Sequence, residues 1–520
     1  MFPALEKIFA WRPFARRHRK ESRRSWRDER VTSATDLARG RARPPVPRRD
    51  LVIGAFAGAN LALLPWFIAG QPLWAQVTSL LLSVGAFAFL FLPVGFDGWR
   101  SASAERSLET LIKFPPFWCG LALMALLALQ GLNPRLEVEF DGRMWQLLPV
   151  DHVPWLPSGV EAPLRTDREP GGMNAFREMI LFGSAWLTLC ALVCGVRSRR
   201  VTRWLVNATL ASATAVAVFS IGMRSAGDLF LYNSISVSVG SVYGPFLYQN
   251  QAGAFFYLAA LLAAAVALRD RLAGGGDVLR GGRHFVFAAA AALLAAAAAY
   301  SASFAALGAT LAGMLVLLPA WWFARPITDG GEGHRRWIGI GIVAVLIAAM
   351  LATFLYSADL KPMWDKVMHK FRLINEAKVD DRAGMRDATW AMFKESSPLF
   401  GAGGGSYRWL SPEYFARFPE FRDAAGRLAA RANYAHFDWL QMLAEWGALG
   451  LALVAGAGAW LLNRLRTYRV HAKATLWPLA AALLLLPAHA CLDYLLYNPA
   501  VLLLYTFLAF VTLSWAREGE

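Results

Sequence analysis

The densest run of residues able to do chemistry is Ala435-His436-Phe437-Asp438-Trp439-Leu440-Gln441-Met442-Leu443-Ala444-Glu445-Trp446-Gly447-Ala448-Leu449-Gly450. Asp438, Gln441 and Glu445 are spaced three and four apart, so a helix carries them on one face. The run opens an apolar stretch, and polar groups entering a membrane helix are costly and face the bundle interior. His436 stands just before them at the water interface, and histidine is the side chain that exchanges a proton near neutral pH. Gly447 and Gly450 permit a close neighbour. Read without context, His436 is more readily a plain interfacial residue than a base.

Other clusters are weaker. His489 and Asp493 sit four apart on one helix face, a spacing at which they can simply bond each other. Gly403-Gly404-Gly405 is able to cradle a phosphate with backbone N–H groups, although such a turn more often only permits tight backbone geometry. Asp380-Asp381 lacks further ligands and reads as solvated loop rather than a metal site. Cys119, Cys190, Cys194 and Cys491 fall inside or at the edge of apolar runs, without zinc or disulfide spacing, and read as small buried hydrophobes. Neither a metal nor a cofactor is expected.

The elements that must position these residues are membrane helices. The chain has 520 residues, of which 56% are hydrophobic and 17% charged, and a soluble protein carries nearer a quarter as charges. Apolar runs long enough to cross a bilayer recur at 51–70, 74–95, 114–133, 178–196, 204–222, 250–268, 285–303, 304–323, 337–356, 437–462, 476–493 and 498–515. The seventh and eighth form either a tight hairpin or one broken element. The Ala-rich stretch 287–299 suits close helix packing. Net charge is +16, and residues 1–50 hold 15 Lys and Arg against 6 Asp and Glu. The rest of the excess lies in short loops (197–203, 269–284, 325–336 and 464–473), which twelve spans place on the same side as the basic tail. This is the positive-inside pattern, and it weighs against nucleic-acid binding. It puts both termini in the cytoplasm of a bacterial inner membrane. The first 50 residues lack an apolar signal core, so the first span is expected to act as its own insertion signal.

The organisation expected is a cytoplasmic tail (1–50), nine spans (51–356), a large, partly helical and ordered periplasmic loop (357–436), three more spans (437–515) and a short cytoplasmic end (516–520). Residues 134–177 and 223–249 would also face the periplasm. Cytoplasmic loops are too short for a catalytic domain, and no Walker A sequence is present. The fold class is an all-α polytopic helical bundle of about twelve transmembrane helices.

His436, Leu440-Gln441, Glu445, Gly447 and Gly450 resemble the hallmark of the O-antigen ligase family, with Phe437 in place of its Asn. That family includes lipid A-core ligases, Wzy-type polymerases and related protein O-oligosaccharyltransferases. Other pieces are similar to family segments. They are Arg386 to Trp390, Ser397 to Tyr407 (a Pro-x-x-Gly-x-Gly loop), His489 to Asp493 with Asn498 to Ala500, and Gly244 to Asn250, where Tyr248 replaces an Asn. Ser301 to Phe304 occupies a place where many members read Ser-Arg-Gly.

The resemblance implies a GT-C-like fold and metal-independent glycosyl transfer at the periplasmic face. The donor would be a glycan on undecaprenyl pyrophosphate, and the acceptor a hydroxyl on a glycan, lipid or protein. His436 would be the general base and Arg386 a pyrophosphate ligand, unless Arg386 instead pairs with Asp380 or Asp381. Arg382, Arg408 and Arg224 stand behind Arg386. Asn250, Gln441, Glu445, His489 and Asp493 complete the expected substrate-binding set, with Glu445 read as tying helices together. Other polysaccharide assembly proteins are candidate partners. Ligase, polymerase and protein-glycosylating roles are not separated, although Phe437 and Phe304 favour a surface-polysaccharide polymerase or ligase over a standard lipid A-core ligase. The alternatives are a secondary transporter or flippase of lipid-linked glycans, and a non-catalytic envelope scaffold.

Overall fold

A computed structural model of the chain describes residues 46–92, 102–142, 144–163, 172–225, 242–273, 283–323, 381–422, 426, 428 and 432–517. The basic tail up to 45, the expected span at 337–356, and Asp380 lie outside the described residues.

The chain is an all-α multi-pass membrane protein. Among the described residues eight helices are long and apolar enough to cross a bilayer. They are α4 (Pro115–Leu132), α5 (Ala175–Gly195), α6 (Arg199–Ser225), α7 (Gln249–Ala273), α8 (Arg283–Tyr300), α9 (Phe304–Phe323), α12 (Asp438–Thr467) and α14 (Pro499–Arg517). Three further expected spans are shorter helices: α1 (Arg48–Leu63), α2 (Leu73–Ala88) and α13 (Trp477–His489). The reasons are local. The chain after α1 meets Pro65 and then Ile68, Ala69 and Gly70, all with positive φ, which a right-handed helix cannot continue through. In α13, Pro487 has no N–H for the Leu483 carbonyl, and the Tyr505 hydroxyl donates to that carbonyl at 3.0 Å instead. The α8–α9 connection is a tight turn with Ala302 at φ 60, and Ser303 caps α9 by accepting from the Ala306 N–H.

Over their most apolar 18 residues, α7 is wholly buried, α14 and α5 about three-quarters, and α4, α9 and α12 about a third. α7 is thus the central helix, and its many alanines let neighbours approach on every side. Hydroxyls and an amide join α1, α2 and α5: Ser79 to Ser184 at 2.5 Å, Ser83 to Thr188 at 2.9 Å, and Asn60 to Ser83 at 3.0 Å.

A cap sits on one end of this bundle. It comprises the sheet β2-β1-β3, with β1 (Pro134–Phe140) antiparallel to β2 (Trp145–Pro149) and parallel to β3 (Gly159–Glu161), together with α10 (Asp381–Glu395) and α11 (Tyr407–Phe415). Its own core gathers Val138, Val160, Met392, Tyr407, Phe415 and Phe421. The amphipathic α3 (Ala102–Ile112) precedes α4.

Basic residues gather at the other end. Arg269 lies 4.5 Å from the Trp515 ring, Lys473 donates to the Ala516 carbonyl at 2.5 Å, and Arg49 donates to the Phe89 carbonyl. The Asp50 carboxylate accepts the N–H groups of Arg197 and Ser198 at 2.8 and 2.6 Å, pinning α1 to the α5–α6 turn. Asp50→Ala leaves both donors without that acceptor and should cost about 1–3 kcal/mol. A lowered thermal midpoint in the full-length protein, largely restored in Asp50→Asn, is the expected result.

Candidate active site

The site is built around a break in α12. Gly447 has φ 66 and ψ −172, a conformation essentially reserved for glycine. At the break the helix ladder is interrupted, and the loop 397–406 takes its place. Ala402 and Gly403 N–H donate to the carbonyls of Ala444 and Glu445 at 2.8 and 2.9 Å, and Ala448 and Leu449 N–H donate to the carbonyls of Pro398 and Leu399 at 2.9 and 3.1 Å. A side chain at Gly401 would strike the Glu445 backbone, and one at Gly447 would strike that of Leu399. Gln130 of α4 completes the joint. Its amide nitrogen donates to the Phe400 and Glu445 carbonyls, and its oxygen accepts the Gly404 N–H.

The polar face expected on α12 is directed inward from this joint. Glu445 accepts the Tyr407 N–H at 2.9 Å, the Tyr497 hydroxyl at 2.8 Å and the Gln441 amide at 3.2 Å. Gln441 in turn accepts the Ala435 N–H at 2.9 Å. Asp438 accepts the N–H groups of Leu495 and Leu496, each at 2.8 Å. Both sides of the next residue pair are therefore held: Ala435 by Gln441, and the α13–α14 turn by Asp438.

Between these ties lies His436, with φ 52. The left-handed region costs a non-glycine residue about 1–2 kcal/mol. The conformation swings the imidazole onto Asp493, with Nδ1 to Oδ1 at 2.9 Å. Asp493 is fully buried, which alone would push its carboxyl pKa up. The hydrogen bond and charge of His436, then the charge of Arg382, outweigh burial and hold it below the usual range. A carboxylate only accepts, so the Nδ1 that faces it is the donor position, and in the neutral ring the lone pair is left to Nε2. A depressed folded-state pKa makes this tie's contribution to stability fully present above about pH 4 and lost as pH falls through the folded value.

Four other groups serve the same carboxylate. The Tyr248 hydroxyl donates at 3.0 Å, the Asn250 amide also donates to Oδ2, the Tyr494 N–H donates to Oδ1 at 2.9 Å, and Arg382 lies 3.5 Å away as an ion pair. Three tyrosines wall the site. Tyr494 stacks on Tyr248 at 4.8 Å and on Tyr434 at 4.4 Å, and its ring meets the His436 ring edge-on at 4.8 Å.

The structure therefore brings together His436, Asp493, Arg382 and Asn250, with Gln441 and Glu445 directly behind. Arg386 is one turn beyond Arg382 on α10, exposed, and makes no hydrogen bond or ion pair among the described residues. Arg408 is buried in the cap, 5.7 Å from the Trp409 ring. Arg224 ends α6 over the rings of Tyr243 and Tyr300, 5.5 Å from each. His489 does not bond Asp493. It is buried, and neither ring nitrogen has a hydrogen-bond partner among the described residues. Gln130, Tyr434, Tyr494 and Tyr497 belong to no motif in the sequence, and Tyr407 only ends the Ser397–Tyr407 segment. Tyr248 was visible only as a departure within the Gly244–Asn250 segment. Among the described residues no cluster of three His, Cys, Asp or Glu has the spacing to hold a metal ion.

A histidine–aspartate pair at a broken membrane helix, beside arginine and beneath a cap, defines a multi-pass membrane protein with a one-sided polar site. Residues 287–455 match the model of the family described as O-antigen ligase. That stretch runs from α8 through the break in α12 and includes His436, and over it the chain is similar to the O-antigen ligase family. A search of curated proteins finds no match.

Gly447→Val should force both the φ/ψ and the Leu399 contact, at about 3 kcal/mol or more. The expected outcome is a lower unfolding midpoint together with easier proteolysis in the 397–406 loop. Unchanged values for both would show that the break tolerates a side chain.

Proposed function

We propose that the protein is a membrane glycosyltransferase that moves a glycan from undecaprenyl pyrophosphate onto an acceptor hydroxyl. The observation that carries this reading is the His436–Asp493 pair, made through Nδ1, with no hydrogen bond to Nε2 among the described residues. As the acceptor oxygen attacks the anomeric carbon, its proton passes to Nε2. The bond from the anomeric carbon to the diphosphate oxygen breaks, and lipid diphosphate leaves. Asp493 balances the imidazolium that forms, as a buried carboxylate on a base histidine does elsewhere. Arg382 and, one turn away, Arg386 are suited to the diphosphate charge, with Arg408 and Arg224 further out. Asn250, Gln441 and Glu445 hold the site's frame, and the tyrosine stack offers aromatic faces to a sugar. No metal or cofactor is invoked.

A lipid carrier is supported by a cavity of about 490 Å3 between α4, α5, α12, α13 and α14, lined almost wholly by apolar side chains from Trp439 to Leu465 along α12. The lining runs along α12 from Trp439, on one side of the Gly447 break, to Leu465 on the other, an elongated apolar surface suited to part of a polyprenyl chain. Trp439 lies one turn from His436 and donates to the Pro487 carbonyl at 3.0 Å, so the cavity begins beside the base. The collection of basic residues at the far end of the bundle supports a cytoplasmic placement for that end, hence a periplasmic site on the bacterial inner membrane. On this orientation the tail and the C-terminal end are cytoplasmic, and the loop carrying α10 and α11 is periplasmic. The acceptor is a glycan, lipid or protein, with a surface-polysaccharide polymerase or ligase favoured, working alongside other assembly proteins.

The test is transfer by the full-length protein in lipid, using an undecaprenyl-pyrophosphate-linked glycan and sizing products on a gel. His436→Ala should lower the rate by about a thousandfold. Wild-type transfer by that variant would refute the base assignment. Asp493→Asn can donate to Nδ1 and so place the proton on Nε2, and should lower kcat by about two to four orders of magnitude while leaving KM nearly unchanged.

A further inference from the structure

We propose that Tyr248 is a positioning residue whose hydroxyl fixes the Asp493 carboxylate and thereby sets the aim and the strength of the His436 base. The inference rests on the base role proposed above and extends it to a residue outside that set.

Asp493 has two oxygens with different duties. Oδ1 faces the His436 Nδ1 and the Tyr494 N–H, whereas Oδ2 takes the Tyr248 hydroxyl, the Asn250 amide and the Arg382 guanidinium. Tyr248 therefore fixes the rotation of the carboxylate about its Cβ–Cγ bond and draws charge toward the oxygen remote from the histidine. Its own placement is rigid. The ring stacks on Tyr494 with planes 10° apart and stands edge-on to His436 at 5.8 Å, and the hydroxyl accepts the Asn250 amide at 2.7 Å. Burial, then the Asp493 charge, push the phenol above its ordinary range, so it remains a donor. The other charged and titratable groups facing the pair are Arg382 from α10, Asp438 at the start of α12, His489 at the end of α13, and Tyr434 and Tyr494.

Tyr248→Phe keeps the ring and its stack and removes only the hydroxyl. Charge then returns to Oδ1, the imidazolium is better stabilised, and the carboxylate is less well aligned. Two readouts follow in the full-length protein in lipid nanodiscs. The Nδ1–H resonance of His436, assigned by its loss in His436→Ala, should move further downfield. The acid limb of the pH–rate profile should move to higher pH, with kcat at neutral pH down about tenfold and KM within about twofold. A resonance and a profile that both coincide with wild type would overturn the proposal and leave Tyr248 as a wall residue. If instead His436→Ala transfers glycan at the wild-type rate, the base reading is what fails, and the resonance alone still decides whether Tyr248 acts on the pair.

Discussion

A transmembrane helix that breaks leaves carbonyls and N–H groups with no partners inside it, and lipid offers none. This requirement organises the structure around Gly447. The broken ladder of α12 is repaired by the backbone of residues 398–403, so the cap must seat that loop against the helix and nowhere else. Gly401 and Gly447 are needed because two backbones meet without room for a Cβ. Gln130 closes the joint from α4. Cap and bundle are thereby coupled through main-chain hydrogen bonds, which hold geometry more tightly than apolar contact does.

The same joint accounts for the buried acids. A carboxyl group within a membrane bundle is tolerated when its acceptors are filled. Glu445 takes one donor each from α11, from the turn before α14 and from its own helix. Asp438 takes two backbone donors from the α13–α14 turn. Both backbone donors fall on Asp438 Oδ2, and its Oδ1 is buried with no hydrogen-bond partner among the described residues. The effect of the two acids is to hold Ala435 and the 490s turn in a fixed relation, and His436 lies between those two anchors. The strain of its left-handed backbone is borne by these ties.

The His436 ring is held by Asp493. Five donors or cations converge on that carboxylate, and the hydrogen bond and charge of His436, then the charge of Arg382, outweigh its burial and hold it below the usual carboxylate range. The apolar cavity is lined from Trp439, three residues beyond His436, and Arg382 of α10 reaches Asp493 from the cap.

The amino-acid sequence by itself determined the class of fold, because long apolar runs separated by basic loops admit few alternatives to a helical membrane bundle. It also placed Asp438, Gln441 and Glu445 on one inward face, since helical periodicity is a local property, and it marked His436 through its neighbours. Tertiary structure alone decided what those residues touch. His436 and Asp493 are 57 positions apart and Tyr248 and Asp493 are 245 apart, separations over which no periodicity carries information. His489 shares a helix face with Asp493 in the sequence pattern, yet the chain leaves α13 just before the aspartate and turns it toward α7 and α10 instead. Helix lengths were likewise decided in three dimensions. The runs at 51–70 and 476–493 have the composition of spans, but left-handed residues after Pro65 and the missing N–H of Pro487 shorten them, and Tyr505 from another helix satisfies the carbonyl that Pro487 leaves free. Composition sets which segments enter the membrane; the pairing of every polar group that enters with them is a global condition, met only once the helices are packed.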